Sequence, residues 1–190
     1  ARVTCSPGWN FFSLPVIPAD LRVTTLLPTY GTEIDTLARY DPTYHDPFTG
    51  HFQHYVGHDP KFDDFDTLQY GQGYQVYCKN PAGVTLTLKG KLPTKQASTT
   101  LLPGWHLLPA VTLEPKPVTW LTQGLDASDV RRFDPATQTL QAVTELTAGQ
   151  AYFVNIRTAS LFAPSLPRDP TTRFVYDGDG GRVKQITAAG

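Results

Sequence analysis

Between Thr43 and Asp66 the chain reads TYHDPFTGHFQHYVGHDPKFDDFD, a stretch that crowds chemically able side chains together. It holds His45, His51, His54 and His58, and Asp46, Asp59, Asp63, Asp64 and Asp66, interleaved with six aromatic rings. Flat rings stack on sugar faces while amides, imidazoles and carboxylates bond the hydroxyls. Tyr44, Phe48, His51, Phe52, His54, Tyr55, Phe62 and Phe65 therefore form a candidate ligand-binding set, with Asp46, Gln53 and Asp59 as polar partners. Asp59, Asp63, Asp64 and Asp66 are candidate ligands for a structural Ca²⁺, which wants six to eight oxygens. Their spacing lacks the alternating acids and closing Glu of a calcium loop. Zinc at His51, His54 and His58 would need one shared face, which a strand denies to His51 and His54. The plain structural alternative is an extra hairpin, FTGHFQHYVGHD, packing its rings over one end of the core.

Signatures of catalysis are sparse. The sequence has no Gly-x-Ser-x-Gly elbow, no His-Glu-x-x-His and no phosphate-binding glycine loop. Cys5 or Cys78 beside a histidine would imitate a thiol nucleophile, yet nothing in the spacing positions a base. A carboxylate pair for glycoside cleavage is defined by separation in space. A glycan-active enzyme thus stays open behind the non-catalytic readings.

Composition bounds the rest. A net charge of −1 and a pI near 6.6 give no electrostatic case for nucleic acid or anionic lipid. No apolar run approaches the roughly 20 residues of a spanning helix. Seventeen Pro and fifteen Gly punctuate stretches of Thr, Val, Leu and aromatics, the texture of short strands joined by turns. Methionine is absent, so the chain is expected to be processed or cut from something larger. Cys5 and Cys78 are a candidate disulfide, worth about 4 kcal/mol by loop closure and pointing to an oxidising compartment if formed; the alternative is two inert buried thiols.

The elements that must position these residues occur twice. PGWNFF (Pro7 to Phe12) lies over PGWHLL (Pro103 to Leu108), LARYDP (Leu37 to Pro42) over VRRFDP (Val130 to Pro135), and LQYGQGYQVY (Leu68 to Tyr77) over LTAGQAYFVN (Leu146 to Asn155). Three landmarks in one order point to an internal duplication. Pro-Gly makes a turn and Trp opens a strand. Asp-Pro ends another, because Asp bonds its own backbone and Pro halts the ladder. Tyr74/Val76 and Tyr152/Val154 alternate inward. ADLRVTTLL and PVTWLTQGL are short-helix candidates, with Asp20 as an N-cap and Pro117 in a first turn. From Asp-Pro to the next Gly-Gln, the first copy is about twice as long as the second, and the excess is the aromatic stretch.

The pattern resembles a repeat of bacterial secreted and surface proteins built on a GWN-L-x-x-P opening and a later G-x-GYWV strand. The resemblance covers roughly residues 5 to 92 and 100 to 163. It departs at His106, where Asn is usual, and at Gln75 and Phe153, where Trp is usual. It implies location and architecture, and no chemistry. TTRFVYDGDGGRVKQI (Thr171 to Ile186) resembles a YD repeat of the Rhs type, through Tyr176, Asp177, Gly178, Asp179, Gly180, Arg182 and Val183. That likeness implies that the chain ends just inside a longer β shell of an adhesion or toxin-delivery protein, with APSLPRDP (Ala163 to Pro170) leading in.

The expected fold is all-β with minor short helix. Two related β-rich units, sandwich- or barrel-like, span residues 1–92, with the insertion at 43–66, and 93–166. A truncated hairpin follows at 167–190. The expected function is an extracellular, non-catalytic binding module of a larger bacterial YD-repeat protein, with glycan as the first ligand class and no membrane span. The alternative is a structural spacer or cap leading into the shell.

Overall fold

In the computed structural model, residues 1–57, 60–94, 98–164, 173–176 and 182–186 are described, the last two ranges through their backbone alone. The first half runs β1 (Arg2–Cys5), β2 (Gly8–Ser13), α1 (Val23–Leu26), β3 (Ile34–Tyr40), β4 (Phe52–Tyr55), a 3-10 turn (Pro60–Phe62), β5 (Gly73–Cys78) and β6 (Val84–Thr87). The second runs β7 (Thr99–Leu101), β8 (Gly104–Pro109), β9 (Lys116–Pro117), α2 (Val118–Leu121), β10 (Ala127–Asp134), β11 (Thr139–Ala142), β12 (Glu145–Leu146), β13 (Ala151–Ile156) and β14 (Ser160–Phe162). Last come β15 (Arg173–Tyr176) and β16 (Arg182–Ile186), which pair antiparallel. The fold is all-β with two four-residue helices, and its described sheets are antiparallel and open, so no barrel closes.

Each half builds a four-stranded sheet, β2-β5-β3-β4 in the first and β8-β13-β10-β11 in the second. Both are antiparallel, and both carry a bulge early in the strand after the helix, at Ile34/Thr36 and Ala127/Asp129. In each half the first and last strands form a separate ribbon, β1 with β6 and β7 with β14. Period two sorts the side chains. Tyr74, Val76 and Cys78 turn into one core with Phe12 and Leu37, while Tyr152, Val154 and Ile156 turn into another with Leu108 and Leu121.

The Pro-Gly-Trp turns show why the residue after Trp is polar. Gly8 and Gly104 take φ of +87° and +122°, a region costly for any residue with a Cβ. Asn10 then clamps the first turn: its Oδ1 accepts from Ser6 N–H at 2.8 Å and its Nδ2 donates to the Ser6 and Gly8 carbonyls at 2.7 and 2.9 Å. His106 keeps one such bond, Nε2 to the Leu102 carbonyl at 2.7 Å. The Asp-Pro stops also behave alike, with Asp41 accepting from Thr43 N–H and Asp134 from Ala136 N–H.

The helix caps differ from expectation. Arg22 and Pro117 occupy the N-cap positions without side-chain caps, so Pro117 precedes the first turn. Asp20 lies two residues earlier and instead grips Arg22 and the Thr25 hydroxyl.

The faces turned away from these cores meet each other. Phe11 of β2 stacks on Phe133 of β10 at 5.2 Å and meets the edge of Phe153 of β13 at 5.2 Å. Tyr40 of β3 reaches the same Phe153 at 5.5 Å, and Leu107 and Ala151 complete the buried layer. The two halves therefore share an aromatic seam. Aromatic pairs of this kind add about 1 kcal/mol each beyond the area they bury.

Candidate functional site

The aromatic stretch is not an added hairpin. Its middle, Phe52–Tyr55, is β4, paired with β3 through Tyr40↔Phe52 and Leu37↔Tyr55. β4 holds the sheet position that β11 holds in the second half. The surplus residues lie in the two connections flanking β4, 41–51 and 56–72.

Strand parity divides the predicted rings. Tyr55 faces the core, and Phe65 packs beside it against Tyr74 at 6.0 Å, so both are removed from the ligand-binding set by burial. Phe52 and His54 lie on the opposite face and are half-buried. Phe52 meets the edge of Tyr40 at 5.2 Å, His51 meets Tyr40 at 5.7 Å, and His45 meets His51 at 5.4 Å. Tyr44 is half-buried, its hydroxyl donating to Asp64 at 3.2 Å. Phe48 and Phe62 stand on the two surplus connections, 94% and 67% exposed.

Three acids of the stretch, Asp46, Asp63 and Asp64, hold these connections. Asp46 closes the loop under Phe48: its Oδ1 accepts from Phe48 N–H at 2.8 Å and Thr49 N–H at 2.9 Å. The Asp46 and Gly50 backbones exchange bonds at 2.9 Å in both directions, with Gly50 at φ +65°. The N–H bonds favour the ionised form and hold the Asp46 carboxyl below its ordinary range. Asp63 accepts from Val56 and Gly57 N–H, and Asp64 from His54 N–H. Asp66 is exposed. His58 and Asp59 lie outside the described residues. Among the described residues no group of three or more metal-ligating side chains converges.

A second feature, unforeseen from the sequence, lies where the halves meet. On one side the seam is tied by hydrogen bonds. Ser13, at the end of β2, donates its N–H to the Gly149 carbonyl at 2.8 Å and its hydroxyl to the Gln150 carbonyl at 2.7 Å. Gln138 accepts from Trp9 N–H at 3.1 Å, and a Cβ on Gly149 would come within 2.3 Å of Val3. On the other side Pro109, at the end of β8, has neither N–H nor hydroxyl to offer. The close approach there is at Gly73, where an added Cβ would stand 2.7 Å from the Leu107 carbonyl. Beside that point opens a cleft of about 380 Å³, walled by Arg39, Tyr40, Asp41, Gln53, Gln69 and Gln72 from the first half and Thr99, Thr100, Leu102 and His106 from the second. A hollow of about 230 Å³ continues it past Tyr70 and Phe162.

Arg39 is the centre of that wall. Its Nε donates to Gln53 Oε1 at 2.5 Å and its guanidinium lies 4.8 Å from the centre of the Phe65 ring. Phe65 thus serves the cleft from below, through a cation–π contact. Arg132 and Gln141 make the matching cross-strand pair in the second half, at 3.4 Å and exposed. Arg39, Gln69, Gln72, Thr99 and Thr100 carried no signal in the sequence. The first three sit at landmarks whose roles read as turn and strand, and no spacing rule links them to residues 99 and 100.

Cys5 and Cys78 are buried thiols. Cys78 donates to the Asn80 carbonyl at 3.6 Å, and burial, with Cys78 nearby, pushes the Cys5 thiol up to about 12. A thiol so held is a poor nucleophile at neutral pH. None of the described helices is long and apolar enough to cross a membrane. No protein-family model, curated protein or solved structure matches the chain.

Proposed function

We propose that this chain is a non-catalytic glycan-binding module of a larger bacterial surface protein, with the ring-bearing face of the first half as its platform. Tyr40, Phe52, His51 and His54 form the shelf, and Phe48 projects beside it. The observation that carries the reading is Phe48. A phenyl ring 94% exposed forgoes about 2 kcal/mol of burial, yet it stands on a loop closed by hydrogen bonds on both strands. Such a loop has already lost the freedom that binding would remove. The second half, whose β10–β11 connection is only residues 135–138, presents no counterpart. β15 and β16 are read as the start of a YD-type segment, and the whole as extracellular.

A spacer is the competing reading, and the shared aromatic seam favours it, because a rigid two-unit body holds its neighbours apart. Affinity electrophoresis through a panel of polysaccharide gels separates the two. The binding reading expects retardation in at least one gel, lost in the Phe48→Ala, Phe52→Ala double variant. Free migration in every gel leaves the spacer.

A further inference from the structure

We propose that the seam cleft is a second saccharide subsite, selective for a hexuronate residue whose carboxylate is received by Arg39. The inference rests on the glycan-binding reading and adds a charge to it. Arg39 is the only Lys or Arg among the described residues of the cleft wall and makes no ion pair with a described carboxylate. Gln53 holds its Nε and Phe65 lies against its plane, so the planar end is fixed while its terminal N–H groups keep no partner among the described residues. A fixed guanidinium fork matches a carboxylate, with two parallel charge-assisted bonds. Asp41, the one acid among the described wall residues, is near enough to feel the Arg39 charge, but its Oδ1 is occupied by the Thr43 N–H and hydroxyl, at 2.9 and 2.7 Å.

The rest of the described wall mixes amides and hydroxyls, chiefly Gln72, Thr99 and Thr100, with apolar groups such as Tyr40 and Leu102, which suits a sugar ring that offers both hydroxyls and a C–H face beside a single negative charge. A polyphosphorylated or nucleic-acid ligand would call for several cations, and the described wall has one. The adjoining hollow extends the cleft with the same kind of lining, Gln69, Gln72 and Thr99 being shared between the two. At about 380 Å³ the cleft is within the range of small-ligand sites.

The test is calorimetric titration of the full chain with galacturonate, mannuronate and glucuronate trisaccharides, each paired with its carboxyl-reduced neutral form. At least one acidic trisaccharide should bind about tenfold tighter than its reduced partner. Arg39→Gln should erase that preference, and Arg39→Lys should restore only part of it, since an ammonium cannot fork. Because Arg39 also packs on Phe65, melting curves accompany both variants. Thr100→Trp, which blocks the cleft from an exposed position, should weaken the acidic ligand about tenfold with an unchanged melting point.

Equal affinity for acidic and reduced forms, or a preference that survives Arg39→Gln and Thr100→Trp, overturns the inference. Neutral saccharides bound equally well and lost with Phe52→Ala would do so while leaving the glycan reading standing. Binding of no saccharide at all would overturn both.

Discussion

The two ends of the seam are built from corresponding strands and reach opposite results. Along β2, Ser13 bonds the turn before β13 and Trp9 bonds Gln138 of the β10–β11 turn, so both termini of the strand are tied to the second half. Where β8 meets the turn before β5, Pro109 stands in place of Ser13, the short 135–138 connection is replaced by residues 41–51, and a cleft results. The frameworks match strand for strand, so the difference lies in a few donors and in loop length. A paired β framework can hence be tied by hydrogen bonds on one side and leave a cleft on the other, at little cost to either core.

The largest effect should come from breaking what the two ends share. Phe11→Ala removes the ring at the middle of the seam and should cost about 4 kcal/mol. Urea unfolding followed by tryptophan emission should show a lower midpoint, with one transition splitting into two as the halves uncouple. An unchanged midpoint would deny that the halves form one body. A smaller effect should distinguish the ends. Ser13→Ala removes one of two donors to the Gln150 carbonyl, leaving the Ala110 N–H, and should cost about 1.5 kcal/mol, whereas Pro109→Ala should cost under about 1 kcal/mol, mostly through the unfolded chain. Equal costs would make the asymmetry one of shape alone.

The smallest effect concerns the loop that carries Phe48. Asp46 is held ionised by its two N–H donors, so its folded pKa lies below the ordinary 3.8. A depressed carboxylate adds stability above the unfolded value and loses it as pH falls through the folded one. The stability difference between the native chain and Asp46→Asn should therefore be constant from neutrality to about pH 5 and shrink below pH 4. A difference independent of pH would show that the carboxylate's charge has no part in closing the loop.

What could be read from residues alone was whatever depends on short-range periodicity. Tyr74, Val76, Tyr152 and Val154 alternate within six-residue strands, and all four are buried. Phe52–Tyr55 is too short to reveal its own parity. Its register against β3 decided that Tyr55 would be buried and Phe52 and His54 left half-exposed on the other face, while Phe65, on the following connection, is buried by packing on Tyr55 and Tyr74. The same long-range pairing turned an expected extra hairpin into the fourth strand. Asp20 followed local preference up to a point, but a neighbouring guanidinium outcompeted the helix N–H groups for its oxygens. The cleft was illegible for a simpler reason: its walls come from five separated segments brought together only when the halves dock.

Each unit also begins and ends in one place. The amino group and carbonyl of Ala1 bond Leu88, β1 lies on β6, and β7 lies on β14. A ribosome making such a unit must deliver its final strand before the opening one has anything to pair with. Closure is therefore a late event set by long loops, and slow for a chain this size. Until then the opening strand is an unprotected edge, the state in which a growing β chain is most exposed to mispairing. Units whose ends coincide can, in return, be strung in series without disturbing the sheets between them.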